Sequence, residues 1–150
     1  MPTVRKSVIV NRPAAAMFAL VDDVESYPRF LPWCSGAHVS ERTDAVTVAR
    51  LDIDYHGLTT SIGTRNAKEP PERMSLEFVE GPFERFKGEW RFVELGEEGC
   101  RVDFALDYAF SSVALETVLG GVFGHIAETL VDRFVQRAES LAPAGRQRSA

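Results

Sequence analysis

Hydrophobic and polar positions along this chain follow two periods, and the switches between them mark out the elements. Residues 3–10 alternate, with Val4, Val8 and Val10 on one side and Arg5 and Ser7 on the other, which predicts a first strand. Residues 14–24 carry Met17, Phe18, Leu20, Val21 and Val24 at helical steps; Asn11 is placed to cap this helix and Pro13 suits its first turn. Residues 27–34, Tyr-Pro-Arg-Phe-Leu-Pro-Trp-Cys, follow neither period. Pro28 and Pro32 each remove a backbone donor and fix φ, so this apolar stretch is expected to bend, with a short helical turn over 26–31.

Beyond the bend the period is that of strands. Segments 36–41, 45–56, 58–65, 74–78 and 86–92 read as strands, punctuated by Thr43-Asp44, Gly57, Pro70-Pro71 and Glu80-Gly81-Pro82. After a turn at 96–99, the last strand has the cleanest pattern. Cys100, Val102, Phe104, Leu106, Tyr108 and Phe110 share one face, and Arg101, Asp103, Ala105, Asp107 and Ala109 share the other. Alternation over this length means one buried face and one wet face, as in an antiparallel sheet. Ser111 and Ser112 then open a helix running to residue 138, with Leu115, Leu119, Val122, Ile126, Leu130 and Phe134 in one stripe widened by Phe123, Ala127 and Val131. Residues 142–150 have no periodicity and are expected to form a disordered tail after a single domain over 1–141.

The fold class expected is α+β: a curved antiparallel sheet of about seven strands wrapped around the long C-terminal helix, with a short pair of helical segments after the first strand. One helix over a broad sheet leaves space beneath it, which is where a ligand would sit. Gly120, Gly121 and Gly124 fall inside that helix, where each costs about 1 kcal/mol relative to Ala. Close approach of helix to sheet would justify them, and so would room or flexibility for ligand entry. The bend at 27–34 is expected to close the space beneath the helix, opposite these glycines.

Composition narrows the function more than the fold. A chain of 150 residues, 45% hydrophobic, can build a core without staples. Cysteine occurs only as Cys34 and Cys100, too few for a disulfide framework or a four-ligand zinc site, and fits reduced thiols in the cytoplasm. The opening residues lack the long apolar run of a secretory signal, and the most apolar segment, 113–135, is interrupted by Glu116, His125, Glu128, Asp132 and Arg133. The net charge of −5 argues against binding DNA, although Arg85, Lys87 and Arg91 could form a local basic cluster on one strand face.

The chain carries no nucleophile elbow, phosphate loop or dinucleotide fingerprint, so no catalytic residues are assigned. His38, His56 and His125 have no metal-ligand spacing, and no metal or cofactor is expected. Asp52, Asp54 and His56 share a strand face that reads as solvated, and Cys34 reads as an inert small apolar residue.

The run Val24-Glu25-Ser26-Tyr27-Pro28-Arg29-Phe30-Leu31-Pro32-Trp33-Cys34, followed by Glu80-Gly81-Pro82-Phe83, Trp90-Arg91-Phe92 and Val102-Asp103-Phe104, resembles the coenzyme Q-binding protein family. That family includes RatA-like toxins and belongs to the START-like polyketide cyclase superfamily, whose architecture is the helix-grip fold. The resemblance extends over residues 2–140. It implies a hydrophobic tunnel for a polyprenyl quinone and a carrier or chaperone role supporting respiration, in the cytoplasm with transient contact at the inner membrane. A quinone head needs a few hydrogen-bond donors, while each isoprene unit buries on the order of 100 Å², or ~2.5 kcal/mol. The lining expected from pattern is Tyr27, Phe30, Leu31 and Trp33 at the bend; Trp90, Phe92, Phe104, Leu106 and Tyr108 on strands; and Leu119, Val122, Phe123 and Ile126 on the helix. Tyr27, Tyr55 and Tyr108 are the candidate head-group donors. A ribosome-binding toxin is the second reading implied by the resemblance, and a cyclase or dehydrase the third.

Overall fold

The computed structural model describes residues 3–141. Its elements run β1 (Thr3–Val10), α1 (Ala14–Asp22), a 3₁₀ turn (Val24–Arg29), β2 (Cys34–Arg42), β3 (Val46–Tyr55), β4 (Leu58–Glu69), β5 (Arg73–Glu80), β6 (Phe83–Leu95), β7 (Gly99–Phe110) and α2 (Val113–Ser140). The seven strands form one antiparallel sheet in the order β1-β7-β6-β5-β4-β3-β2. Six of them make a continuous meander, and β1 pairs with the far side of β7 from Thr3 opposite Asp107 to Val10 opposite Cys100. Bulges in β2 at Cys34/Gly36 and Val39/Glu41, and near Gly63 and Phe83, bend the ribbon so that it cups what lies on its inner face. The expected helix-grip arrangement is what the chain adopts. The expected tail at 142–150 lies outside the described residues.

Alternation sets the inner face. Along β7 the even positions from Cys100 to Phe110 are buried and the odd ones are not. The β3–β4 hairpin turns on His56 and Gly57, both at positive φ (49° and 85°), the combination that a two-residue hairpin requires. α2 covers the inner face with Phe123, Ile126, Ala127, Val131, Phe134 and Ala138. Ser112 caps it, its hydroxyl accepting from Leu115 N–H at 3.1 Å. By length and composition α2 is apolar enough to cross a membrane, but its buried stripe is seated on the sheet.

Several local expectations are corrected. Asn11 does not cap α1; the residue at that position is Pro13, and the Ala14 N–H is satisfied from β6 by Glu94 Oε1 at 3.1 Å. α1 also stops at Asp22 rather than Val24, because Asp23 leaves helical geometry and the chain tightens into the 3₁₀ turn around Pro28. Close packing does not explain the α2 glycines. A Cβ on Gly121 would meet nothing within 4 Å, one on Gly120 only Glu116 Cγ at 3.8 Å, and one on Gly124 only the Tyr108 hydroxyl at 3.9 Å. Of the two reasons, room and flexibility survive.

The bend is not opposite those glycines either. Tyr27 and Phe30 both pack edge-on against Phe134, at 5.2 Å between centroids, and the Arg137 guanidinium lies 5.3 Å over the Phe30 ring. Phe134 is ten residues past Gly124, about 15 Å along a helix. The bend therefore secures the C-terminal half of α2, while the glycines lie over the Tyr108–Phe110 end of β7. A main-chain bond from Leu31 N to Tyr27 O (2.9 Å) closes the bend on itself, and one from Asp54 N to Trp33 O (2.9 Å) fastens it to β3.

Candidate functional cavity

Between sheet and α2 lies a cavity of about 100 Å³. Its walls come from every layer: Val21, Val24 and Tyr27 from the α1 side, Trp33 from the bend, inward positions of β3 to β7, and Phe123, Ile126, Ala127, Leu130 and Phe134 of α2. At one end Trp90 packs tilted against Phe104 (4.6 Å) and edge-on against Phe134 (5.3 Å). At the other, Phe123 joins a cluster with Phe83 (5.1 Å) and Tyr108 (4.8 Å). Among the described residues, no charged side chain lines this space.

Seven of the thirteen residues expected from the sequence line the cavity: Tyr27, Trp33, Trp90, Phe104, Leu106, Phe123 and Ile126. The other six lie elsewhere. Phe30 is on the outer side of Phe134, under Arg137. Leu31 is buried but is not part of the wall. Phe92 packs against Phe18 of α1 (5.7 Å), so α1 occupies the space it was expected to line. Tyr108 belongs to the distal aromatic cluster with Phe83, Phe110 and Phe123. Leu119 and Val122 sit half-exposed on α2, just before the stretch that reaches the cavity.

The sequence reading passed over Ala49, Leu51 and Ile53 of β3, Ile62, Thr64 and Asn66 of β4, Met74 and Leu76 of β5, and Phe86 of β6. The same alternation that marked β7 would have found most of these. Weighting aromatic residues over aliphatic and small polar ones hid all of them but Phe86. On α2, steps of four from Phe123 and Ile126 reach Ala127, Leu130 and Phe134.

The polar equipment of the wall is sparse and specific. The Tyr27 hydroxyl is committed to the Val21 carbonyl, and burial, reinforced by Asp22, pushes its phenol well above the ordinary range. Tyr27 is therefore unavailable as the head-group donor that the sequence suggested. Thr64 Oγ1 donates to Asn66 Oδ1 at 2.8 Å, and Asn66 is only 5% exposed. The Trp33 indole Nε1 is sealed from solvent and has no acceptor among the described residues. An unpaired buried N–H of this kind costs about 1–3 kcal/mol.

One inward position beyond Asn66 on β4, Lys68 leaves the wall because Asp22 holds it, Nζ to Oδ2 at 3.0 Å, with Thr47 Oγ1 on the other carboxylate oxygen at 2.8 Å. Arg42 completes this brace, donating to Asp22 O (2.8 Å) and forking onto Glu25 (2.7 and 2.8 Å).

Other candidate chemistry stays outside. Asp52 accepts from Ser61 (2.8 Å) and pairs with His38 (2.9 Å) on the outer face, which holds its carboxyl below the ordinary range, the Ser61 bond contributing most. No grouping of three potential ligands occurs among the described residues. Burial pushes the Cys34 thiol up to about 11, as suits an inert core thiol. His125 is exposed on α2, its ring stacked 6.4 Å from Tyr55.

Comparison with known proteins agrees with this geometry. Residues 10–135 match the family model described as polyketide cyclase / dehydrase and lipid transport. The ribosome association toxin RatA of Escherichia coli is 35% identical over 141 residues, covering 94% of this chain and 89% of that protein. The mitochondrial coenzyme Q-binding protein coq10 of Schizosaccharomyces pombe is 26% identical over 140 residues, covering 90% and 85% respectively. Among solved structures, the Zhui aromatase/cyclase of a Streptomyces species superposes with a TM-score of 0.83 at 19% identity over 96% of this chain and 97% of that one, a likeness of fold. The chain belongs to the polyketide cyclase / dehydrase and lipid transport family, with RatA and coq10 proteins among its relatives.

Proposed function

We propose that this protein binds a polyprenyl quinone, or a closely similar neutral lipid, between its sheet and α2 and carries it without transforming it. The observation that supports the reading most is the wall itself: twenty-one residues, aromatic or aliphatic apart from Thr64 and Asn66, and none charged. Such a wall favours hydrocarbon by about 25 cal/mol for each Å² removed from water. Kinship with a coenzyme Q-binding protein supports the quinone as the particular lipid. An acid–base reaction would need a titratable pair in the cavity; among the described residues Tyr27 is its one titratable lining residue, and its hydroxyl is already engaged.

At about 100 Å³ the closed cavity is below the roughly 300–1,000 Å³ of sites that enclose a drug-sized ligand, so binding must widen it. The N-terminal half of α2 is the element suited to move. It carries Gly120, Gly121 and Gly124 without tight neighbours, and it exposes Val113 (81%) and Val118 (74%). Those exposed valines are also suited to a transient meeting with the inner membrane surface, where a cytoplasmic carrier would exchange its cargo. Mass spectrometry of lipid extracted from the purified protein tests the reading. A co-purifying quinone, or a raised thermal midpoint on adding one, is expected. Clean extracts together with an unmoved midpoint would sink it.

A second reading is a RatA-like role, binding the large ribosomal subunit and blocking subunit association, motivated by the 35% identity to proteins of that name. The basic cluster suggested for it is diluted by acids on the same sheet face. Arg91 bonds Glu89 (2.8 Å) and stands opposite Asp103, and Lys87 stands opposite Asp107. Co-sedimentation with ribosomes at low and moderate salt decides this reading, and absence from the pellet at both would end it.

A further inference from the structure

We infer that the ligand enters this cavity head first: Thr64 and Asn66 of β4 hold an oxygen of its head group, and its hydrocarbon tail trails out over Leu76 and Phe86, past the N-terminal half of α2. The inference rests on the lipid-carrier reading above and adds an anchor and a direction to it. Asn66 lines the cavity and is only 5% exposed, and the one hydrogen bond its side chain makes among the described residues is the 2.8 Å bond it accepts from Thr64. A carboxamide has two N–H donors and two acceptor lone pairs, so most of its capacity is unspent where water has little access. The Trp33 indole N–H offers no surface to the space and the Tyr27 hydroxyl is turned to Val21, so neither competes for a head group. A hydroxyl beside an amide both donates and accepts, which suits a carbonyl and a hydroxyl alike. A carboxylate fits poorly, because it would bring a charge among hydrocarbon while the cation on this strand face, Lys68, is paired with Asp22 and is not part of the wall.

The direction follows from where the wall is closed. Side chains on the inner face of a curved sheet meet solvent only from its hollow. Of the lining residues, those that solvent partly reaches are Leu51, Thr64, Leu76 and Phe86 on β3 to β6, and Leu130 on α2. Farther along β4 to β7 the hollow is shut. Lys68 stands opposite Met74, Met74 opposite Trp90 and Trp90 opposite Phe104, all of them buried. Phe134 closes the same end, edge-on to both Trp90 and Tyr27. A cavity of about 100 Å³ has no room for a polyprenyl tail, and its closed end gives the tail no way through. A long tail can therefore leave only by the half-exposed side, which puts the head inside, against Asn66. The α2 glycines lie over that side: Phe86 stands opposite Tyr108, whose hydroxyl is the group nearest to a Cβ on Gly124.

The test uses the full chain and calorimetric titration. Decylbenzoquinone, decylbenzene and para-decylbenzoate share a ring and tail and differ in the head; a further probe is the same quinone with a triphenylphosphonium group at the end of its decyl chain. The quinone is expected to bind about tenfold tighter than the benzoate, and equal affinities would overturn the anchor. Thr64→Val and Asn66→Leu delete the polar groups and keep the bulk. Each is expected to weaken decylbenzoquinone about threefold to tenfold and to leave decylbenzene within about twofold. A loss shared equally by decylbenzene is packing, and also overturns the anchor; if Asn66→Leu lowers the thermal midpoint, Thr64→Val carries this arm alone. The triphenylphosphonium quinone is expected to bind within about threefold of decylbenzoquinone, because its chain end stays outside. Tail-first entry would drive a bulky cation into hydrocarbon, so loss of its binding overturns the direction. Each of these reversals leaves the carrier reading intact, whereas failure of every probe to bind overturns that reading and this one together.

Discussion

Lys68 Nζ lies 3.0 Å from Asp22 Oδ2 with only 4% of its side chain exposed and 19% of the Asp22 side chain, so a buried ammonium is paired with a largely buried carboxylate at the end of α1, against the inner face of β4. Thr47, itself fully buried, donates to the same carboxylate, and Arg42 reaches the Asp22 carbonyl. The pair ties the last residue of α1 to β4, next to Val21 and Val24 of the cavity wall. Removing the carboxylate charge strands a buried ammonium, at a cost of about 3–5 kcal/mol. Asp22→Asn is expected to lower urea-denaturation stability by that amount, and Asp22→Leu with Lys68→Met should recover most of it. A cost below about 1 kcal/mol for Asp22→Asn would show that the pair is not structural.

The Glu25–Arg42 fork gives a pH signature. Arg42 bonding holds the Glu25 carboxyl at about 2, below its ordinary 4.5. A carboxyl whose folded value is depressed adds stability that is present above its unfolded value and is lost as the pH falls toward its folded one. The window here is therefore between about 4.5 and 2. Half of the Glu25 side chain is exposed, so solvent screening limits the contribution to about 1 kcal/mol or less. Glu25→Gln should be less stable than wild type at neutral pH, and the two should converge as the pH falls through that window. A gap independent of both pH and salt would contradict the ionic account.

The glycines of α2 make a prediction in the opposite direction. Gly121→Ala meets open space and Gly120→Ala only a side chain at 3.8 Å, so each should stabilise α2 by about 1 kcal/mol. Hydrogen exchange in the N-terminal half of the helix should slow, and so should exchange of bound lipid. Stabilisation without slower lipid exchange would remove this half of α2 from the entry route.

Cavity walls and near neighbours should respond differently to added bulk. Leu106 lines the cavity, whereas Val122 is half-exposed outside it. Leu106→Trp is expected to abolish lipid uptake by filling the space, at about 1–3 kcal/mol in stability. Val122→Trp should leave uptake unchanged. Equal effects on uptake would mean that the ligand occupies a different space.

Much of this architecture was legible in the linear pattern, because alternation and helical spacing are local consequences of backbone geometry. The inner face of β7, the Ser112 cap and the stripe of α2 each follow from residues close in sequence, and the motif around Tyr27 to Cys34 pointed to the family. Pairwise geometry across the fold was not legible. That Glu94 of β6 caps α1, that α1 takes the space beside Phe92, and that Phe30 meets the far side of Phe134 depend on how the sheet curves. The bend illustrates the division. Its prolines announced a break, but its place beneath the C-terminal half of α2, away from Gly120 and Gly121, is set by packing between segments a hundred residues apart. The state of the polar groups on the cavity wall has the same origin. Tyr27 looked like the natural hydrogen-bond donor and is spent on Val21, whereas the buried Trp33 indole N–H has no acceptor among the described residues, because only the folded chain decides which polar groups have found one another.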